Sequence, residues 1–498
     1  MAGHLLVDLG FKGLRGERCR MELLSAIAHG VGLTVADSVT IDSRPAHMAP
    51  IPRSLFNSRL GLSLHARYPD GLWTHQASAI EQAVEGSNVV VATGTASGKS
   101  LIFRAVVLHK LLLDNSAKAV IFYPLKALAA DQLRGWREEL DELGLPPEWI
   151  GRIDGSVPMR DREAILERSR ILIMTPDIVQ AWMMSRVAMP VIKSFLRGLE
   201  IMVLDEAHTL EGVFGSNAAF LIRRVLNARH ALQTDLPVQP LQFVAATATI
   251  RDPATHLGKL TGAEFRAVDE SEDGSPRNEL ELLHIVAPSG EEAKAARLLH
   301  SALVEESRQF ITFVDSRKGA EMLATGDAQH GSEELGAESV LPYRSGYAAA
   351  DREAIEHRLR NGTLSGVVST SALELGIDLP GLSAGLNLGI PHSRKSFRQR
   401  LGRVGRHGRG SFALVAEAEA FSAYGSSLSE YLATSVEPSY LYLDNRFMQF
   451  AHARCLAEEL ESIGASSRPR AQYGWPDGFM GVFEMTSPGV ERPAEFDL

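Results

Sequence analysis

Gly98, Lys99 and Ser100 close a loop of small residues, Thr93-Gly94-Thr95-Ala96-Ser97, that follows the apolar run NVVVA at 88–92. An apolar segment begins at once with Leu101. Small side chains let backbone N–H groups wrap a polyphosphate, and the N-terminus of a following helix adds positive potential. At this spacing Lys99 reaches the β- and γ-phosphates and the Ser100 hydroxyl ligates Mg²⁺, so Thr93 to Ser100 is expected to hold ATP with its magnesium ion. Thr93 stands where the general phosphate-loop pattern has its first glycine, while Gly94 and Gly98 keep the loop permissive. A Gly-Lys-Ser after a strand can also be purely structural; the residues further along the chain decide between the readings.

Asp205-Glu206-Ala207-His208 follows the apolar run IMVL at 201–204. A strand tip of this kind points its carboxylates into the crevice of an α/β sheet. Two adjacent acids there divide the work: Asp205 holds Mg²⁺, directly or through water, and Glu206 orients and deprotonates the attacking water. Phosphoryl transfer asks little more of a protein than this positioning and charge. His208 could ligate a metal, but a single histidine without neighbouring ligand residues reads better as a hydrogen bonder between motifs.

From His392 to Arg409 the chain carries seven Lys and Arg residues and no acid. A basic patch that binds phosphate backbones is one reading. The other is arginine fingers: Arg403 and Arg406 lie three apart, on one face if the segment is helical, and the adjoining glycines permit close approach to another domain. An arginine delivered to the γ-phosphate in the transition state is worth roughly 10³–10⁵ in rate.

The elements that must position these groups are short buried strands alternating with amphipathic helices. Candidate strands are NVVVA (88–92), AVIFY (119–123), ILIM (171–174), IMVL (201–204) and QFVAA (242–246). After a Gly/Pro/acid-rich stretch at 269–278 the rhythm returns with ELLHIVA (281–287), FITFV (310–314), GVVST (366–370) and FALVA (412–416). Runs of this length separated by helical segments predict parallel sheets with helical crossovers. The expected fold is α/β, with two tandem lobes, each a mostly parallel sheet with helices on both faces, plus small terminal accessory segments. The boundaries fall at 1–66 (accessory), 67–268 (first lobe), 269–430 (second lobe) and 431–498 (a helical segment closing at Gly464, then a loose or docking tail).

Composition excludes several alternatives. The chain has 498 residues, with 45% hydrophobic and 22% charged, in the ordinary globular range. Two cysteines, Cys19 and Cys455, belong to no cluster, which excludes a zinc module or disulfide framework and points to a reducing, cytoplasmic setting. The absence of a signal peptide or long apolar run predicts no membrane association. A net charge of −10 means that any nucleic-acid contact is local.

The order and spacing of these motifs resemble a superfamily 2 DEAH-box helicase with two RecA-like lobes. The resemblance makes TGTASGKS motif I, DEAH motif II, Ala246-Thr247-Ala248-Thr249 motif III and QRLGRVGR (399–406) motif VI. It further places YPLKALAADQ (123–132), DGS (154–156) and MTPD (174–177) in the first lobe, and FVDSRKGAE (313–321), YRSGYAAADREAIE (343–356) and STSALELGID (369–378) in the second. Within that superfamily TGTASGKS, DEAHTLEGVFGSNAAFLIRR, DGSPR and YRSGY are most similar to the bacterial YprA-like mitomycin-repair helicases and their fungal RecQ-like relatives.

That resemblance implies ATP-dependent 3′→5′ movement on single-stranded or tailed duplex DNA, in repair or anti-phage defence. Gln76 becomes the adenine-reading glutamine. Gly376 and Asp378 become nucleotide-side residues, and Gln399, Arg403 and Arg406 take part in hydrolysis. Pro124, Lys126, Thr175, Ser316, Arg317 and Thr370 become backbone contacts to the nucleic acid. Family members usually carry a further four-cysteine zinc domain; the resemblance implies either that this domain is absent here or that a protein partner supplies it. Two other readings stay open: an RNA-dependent ATPase, since RNA is told from DNA chiefly through 2′-hydroxyl contacts, and a nucleotide-binding structural subunit of a larger complex. Trp73 and Tyr68 could stack on adenine or simply pack; Tyr440, Tyr442 and Phe447 are expected in the core.

Overall fold

Val89, Val90 and Val91 are all buried, and they point alternately to the two sides of a seven-stranded sheet. Val89 and Val91 join a cluster with Ile121, Ile173 and Val203, while Val90 packs with Phe122, Met174 and Leu204 on the other face. Burial on both faces is why these strands read as continuous apolar runs rather than alternating ones. The structure, a computed structural model, describes residues 23–486 apart from 57, 234–237, 330–338, 345, 375–381 and 466–467.

The chain forms two compact units. Residues 46–275 make one together with the segment from Val436, and residues up to Pro45 make the other with Pro276–Ser435. The first sheet runs Arg266–Val268, Val89–Val91, Gln242–Ala246, Leu199–Leu204, Lys118–Phe122, Ile171–Met174, Ile150–Ile153, every pair parallel. The second runs Thr34–Ile41, Leu280–Val286, Gly410–Ala416, Ala384–Leu388, Phe310–Phe313, Gly366–Ser369, Val340–Tyr343. Only its edge strand, Thr34–Ile41, is antiparallel to its neighbour. These are the two RecA-like lobes, and all nine expected strands are present.

The expected terminal segments divide differently. Thr34–Ile41 alternates exposed and half-buried positions as an edge strand of the second sheet, and residues 46–66 belong with the first. The helices Arg446–Ser462 and Phe479–Glu484 pack on the long first-lobe helix Gly212–Leu232 through Phe220, Phe450, Leu456 and Phe479. Two of the three buried arginines of that long helix secure the arrangement, and the third, Arg229, bonds within the first lobe. Arg223 donates to the carbonyls of Gly474, Lys259 and Leu260, Arg224 makes a two-point ion pair with Glu459, and Arg229 donates to Gln239. The segment 468–484 therefore docks rather than hanging free. Tyr440 and Tyr442 are 64% and 51% exposed, contrary to the core expectation. Leu441 between them takes the inward place, because Gly212 N–H donates to the Tyr440 carbonyl and Tyr442 N–H to Ser216 Oγ. No helix among the described residues is long and apolar enough to cross a membrane.

Candidate functional site

The nucleotide-loop residues sit between the strand Val89–Val91 and the helix Lys99–Leu113. Two of them, Ala96 and Gly98, adopt left-handed backbone angles with φ of 63° and 65°. Ala96 carries a side chain in a region that glycine tolerates best, a local cost accepted where the backbone must turn toward a ligand. The loop is braced from within: Thr93 Oγ1 and Ser97 Oγ are 2.7 Å apart, and Ser97 Oγ donates to the Gly94 carbonyl at 2.8 Å. Lys99 Nζ donates to the carbonyls of Thr93 at 2.9 Å and Gly94 at 2.6 Å.

The helix Thr74–Val84 clamps the loop from outside. Gln76 Nε2 donates to the Gly98 carbonyl at 3.1 Å, and its Oε1 accepts from the Trp73 amide at 3.2 Å. A Cβ on Gly98 would collide with the Gln76 amide and come 3.0 Å from the Trp73 ring, so this approach demands glycine. The neighbouring His75, fully buried, holds the Ser97 carbonyl at 2.8 Å. His75 is a functional candidate that sequence reasoning missed, because the residues it joins are far apart in the chain.

Asp205 stands at the end of Leu199–Leu204, beside Phe122, whose carbonyl accepts its amide at 3.1 Å. Burial pushes its carboxyl up to about 7, the adjacent Glu206 adds to the rise, and the Glu206 amide, Lys99 and Arg104 pull the other way. Glu206 is itself left-handed, with φ of 49°, which turns its side chain away from that of Asp205. His208 Nδ1 accepts from the Ala248 amide at 3.3 Å and lies 3.5 Å from Glu206, linking the second acid to Thr247-Ala248. This is the inter-motif role expected for it. Asp205 is buried and Glu206 half-buried, and with the Ser100 hydroxyl they are oxygen donors of the kind that Mg²⁺ takes.

The expected nucleic-acid residues lie at matching places in the two sheets. Pro124 and Lys126 follow the strand Lys118–Phe122, and Thr175 follows its parallel neighbour Ile171–Met174. Ser316 and Arg317 follow Phe310–Phe313, and Thr370 follows its neighbour Gly366–Ser369. Lys126, Ser316 and Arg317 are exposed; Thr175 is buried, and its carbonyl accepts from the Ile178 and Val179 amides. Ser316 Oγ accepts from the Gly319 amide at 2.9 Å, capping its helix. Gly376 and Asp378 lie outside the described residues.

In the second unit the helix Arg394–Leu401 ends before the expected arginine pair, because Gly402 and Gly405, the latter with φ of 75°, turn the chain. Arg403 and Arg406 therefore do not share a helical face. Arg403 is buried and donates to the Glu374 carbonyl at 2.6 Å, whereas Arg406 is half-buried and its Nε reaches the Gly402 carbonyl at 3.1 Å. Gln399 is buried in the same helix. Arg400, which sequence reasoning passed over, donates to Glu374 at 2.7 Å and Asn387 at 2.6 Å and approaches Asp315. Ser396 also donates to Glu374, making that acid the hub of the local network.

Two family models match the chain: DEAD/DEAH box helicase over residues 73–257 and helicase conserved C-terminal domain over 293–408. The ATP-dependent helicase YprA of Bacillus subtilis is 33% identical over 430 residues, covering 84% of this chain and 56% of that protein. ATP-dependent helicase HRQ1 of Saccharomyces cerevisiae is 32% identical over 411 residues, covering 78% of this chain and 37% of that protein. A crystal structure of the DUF1998 helicase MrfA bound to DNA and AMPPNP superposes with a TM-score of 0.78 at 30% identity, covering 88% of this chain and 61% of the other. The chain thus spans little more than half the length of the first of these relatives.

Proposed function

The chain belongs to the DEAD/DEAH box helicases of superfamily 2, of the YprA and MrfA type, and on that premise we propose that it hydrolyses ATP when bound to nucleic acid and uses the energy to move along single-stranded DNA in the 3′→5′ direction. The observation that carries the proposal is one sheet that sets an internally braced phosphate loop, closed by Lys99, after the strand Val89–Val91 and the acids Asp205 and Glu206 after the strand Leu199–Leu204.

In this reading the loop amides and Lys99 hold the β- and γ-phosphates. Bound Mg²⁺ supplies charge neutralisation of the phosphates. Ser100 and Asp205 would hold that ion, and Glu206 takes the proton from the attacking water. Gln76 and the Trp73 ring line the side of Gly98 where a purine would lie. Gly376, Asp378 and Gln399 complete the nucleotide-side set, with Arg406 supplying the transition-state charge. Pro124, Lys126 and Thr175 in one unit, and Ser316, Arg317 and Thr370 in the other, touch the nucleic-acid backbone. Such contacts are sequence-tolerant and salt-sensitive.

A protein partner is a further element of the proposal, to be tested by co-purification from the native host. The decisive experiment is ATP hydrolysis by the chain alone and with single-stranded DNA, duplex DNA or RNA of equal length. Strong stimulation by single-stranded DNA supports the motor reading, and unwinding assays with 3′ and 5′ tails then test direction. Preferential stimulation by RNA replaces the DNA assignment. ATP binding without hydrolysis in any condition removes the motor reading for the isolated chain.

A further inference from the structure

We infer that His75 is a positioning residue that couples the phosphate loop to the ribbon of chain crossing between the two units, so that filling the loop with nucleotide changes the ribbon. The inference rests on the proposal that Thr93–Ser100 holds ATP.

The bridge is a single imidazole with no exposed surface. Its Nε2 lies 2.8 Å from the Ser97 carbonyl, and the Gly274 amide donates to its Nδ1 at 3.2 Å. An amide N–H only donates, so Nδ1 accepts and Nε2 carries the hydrogen given to Ser97: one neutral tautomer satisfies both ends. The next residue, Gln76, grips the next carbonyl, that of Gly98. In a trans peptide C=O and N–H point opposite ways. Holding the Ser97 and Gly98 carbonyls outward therefore aims the Gly98 and Lys99 amides inward, where a phosphate is cradled. The ring that sets this aim is thus fastened on its far side to Gly274. Asp273 lies alongside: one carboxylate oxygen accepts from the Ser275 amide and hydroxyl, and the other would lie 3.9 Å from a Cβ at Gly94.

Gly274 belongs to a short antiparallel ribbon. His47 N–H donates to the Gly274 carbonyl at 2.9 Å, and Arg44 and Arg277 exchange backbone hydrogen bonds at 2.7 and 2.9 Å. The division between units falls after Pro45 and after Ser275, both inside this ribbon. Thr74, next to His75, donates its amide to the His47 carbonyl at 2.9 Å, so the helix that clamps the loop also holds the ribbon's other strand. A Cβ on Gly274 would collide with the Thr74 hydroxyl and lie 2.6 Å from the His47 carbonyl, so the ribbon has little room to shift without moving residues 74 and 75. The Gly/Pro/acid-rich stretch 269–278 is in this way wired to the nucleotide loop through His75.

The test is hydrogen–deuterium exchange of the full chain with and without a non-hydrolysable ATP analogue and Mg²⁺, paired with steady-state hydrolysis. In the wild type, the analogue is expected to change exchange in peptides covering 44–47 and 274–277. His75→Phe keeps the ring volume but neither hydrogen bond. At a saturating analogue concentration it should lose the ribbon response, and it should lower nucleic-acid-stimulated kcat about tenfold, the scale of one neutral hydrogen bond. His75→Gln, which restores a donor toward Ser97, should recover part of that kcat. Because His75 is fully buried, Gly274→Ala provides an independent variant that strains the ribbon and changes no residue of the loop: the strain should reach the loop through Thr74 and His75, so that stimulated kcat falls. If the wild type does not bind the analogue, the site reading falls and this inference with it. Binding without any change in the ribbon overturns the inference alone. So does wild-type kcat in both variants.

Discussion

Lys99 donates its ammonium to the Gly94 carbonyl at 2.6 Å, curling back over the loop that it closes. A phosphate entering the loop competes for that ammonium with two neutral carbonyls, and a doubly charged γ-phosphate is the stronger acceptor. Lys99→Ala should leave the loop folded and reduce kcat about 10²–10³-fold, the cost of removing one charge-directed donor. Phosphate-release kinetics beside a nucleotide-binding titration check this, and turnover near wild type would remove Lys99 from its role.

Asp205 makes Mg²⁺ uptake depend on pH. Burial and Glu206 hold its carboxyl up to about 7, so near neutrality a proton competes with the cation for the same oxygens. The neutral acid does not ligate. Apparent Mg²⁺ affinity is therefore expected to rise as pH rises through about 7, and below it to fall about tenfold per pH unit. Mg²⁺ titrations of nucleotide binding at several pH values test the slope, which Asp205→Asn should abolish.

The two arginines expected as a pair should separate in experiment. Arg406 is half-buried, and Arg406→Ala should lose up to about 10³-fold in stimulated hydrolysis while still binding ATP. Arg403 is buried against the Glu374 carbonyl, so Arg403→Ala should chiefly destabilise the second unit, by about 1.5–3 kcal/mol. Thermal unfolding and kcat measured on both variants distinguish the two roles.

Glu459→Gln leaves Arg224 buried without its counter-charge. Breaking one side of a buried ion pair costs about 3–5 kcal/mol, and denaturant unfolding should show a loss of that order. The double variant Arg224→Met with Glu459→Leu should be less destabilised than either single change.

His452, beside that pair, accepts from Arg224 at its Nδ1 and donates from Nε2 to Asn217. Burial, and next the Arg224 charge, push it down to about 3 from an ordinary value of 6.5. The folded protein keeps the neutral ring, whereas the unfolded chain takes up a proton near 6.5. The stability tied to neutral His452 is therefore complete above that pH and is lost on acidification toward 3, by about 1.4 kcal/mol per pH unit. Denaturant midpoints at neutral and mildly acidic pH measure this, and His452→Gln should lack His452's share of the slope.

The sequence made the engine legible where chemistry is written in neighbouring residues. Thr93–Ser100, Asp205-Glu206 and the buried β-branched strands announced themselves because a phosphate loop, a strand-end acid pair and a parallel sheet each need a contiguous run. Strands that break the β-branched habit did not: Val340–Tyr343 holds Pro342, and Ala384–Leu388 holds Gly385 and Asn387. Pairing with neighbours supplies what propensity withholds there. Long-range polar contacts were likewise invisible, since Glu374 gathers Ser396, Arg400 and Arg403, and His75 joins Ser97 to Gly274, only once the chain is folded.

The first lobe is discontinuous in the chain, its residues 46–275 completed by the segment from Val436. During synthesis the ribosome releases the whole second lobe before the helices that cover Phe220 and pair with Arg224 emerge. At elongation rates of about 5–20 residues per second, the face of Gly212–Leu232 stays uncovered for about ten seconds or longer. Over that interval an apolar surface bearing an uncompensated arginine is open to chaperones and to premature association, and the second lobe finishes its own sheet before the first is sealed.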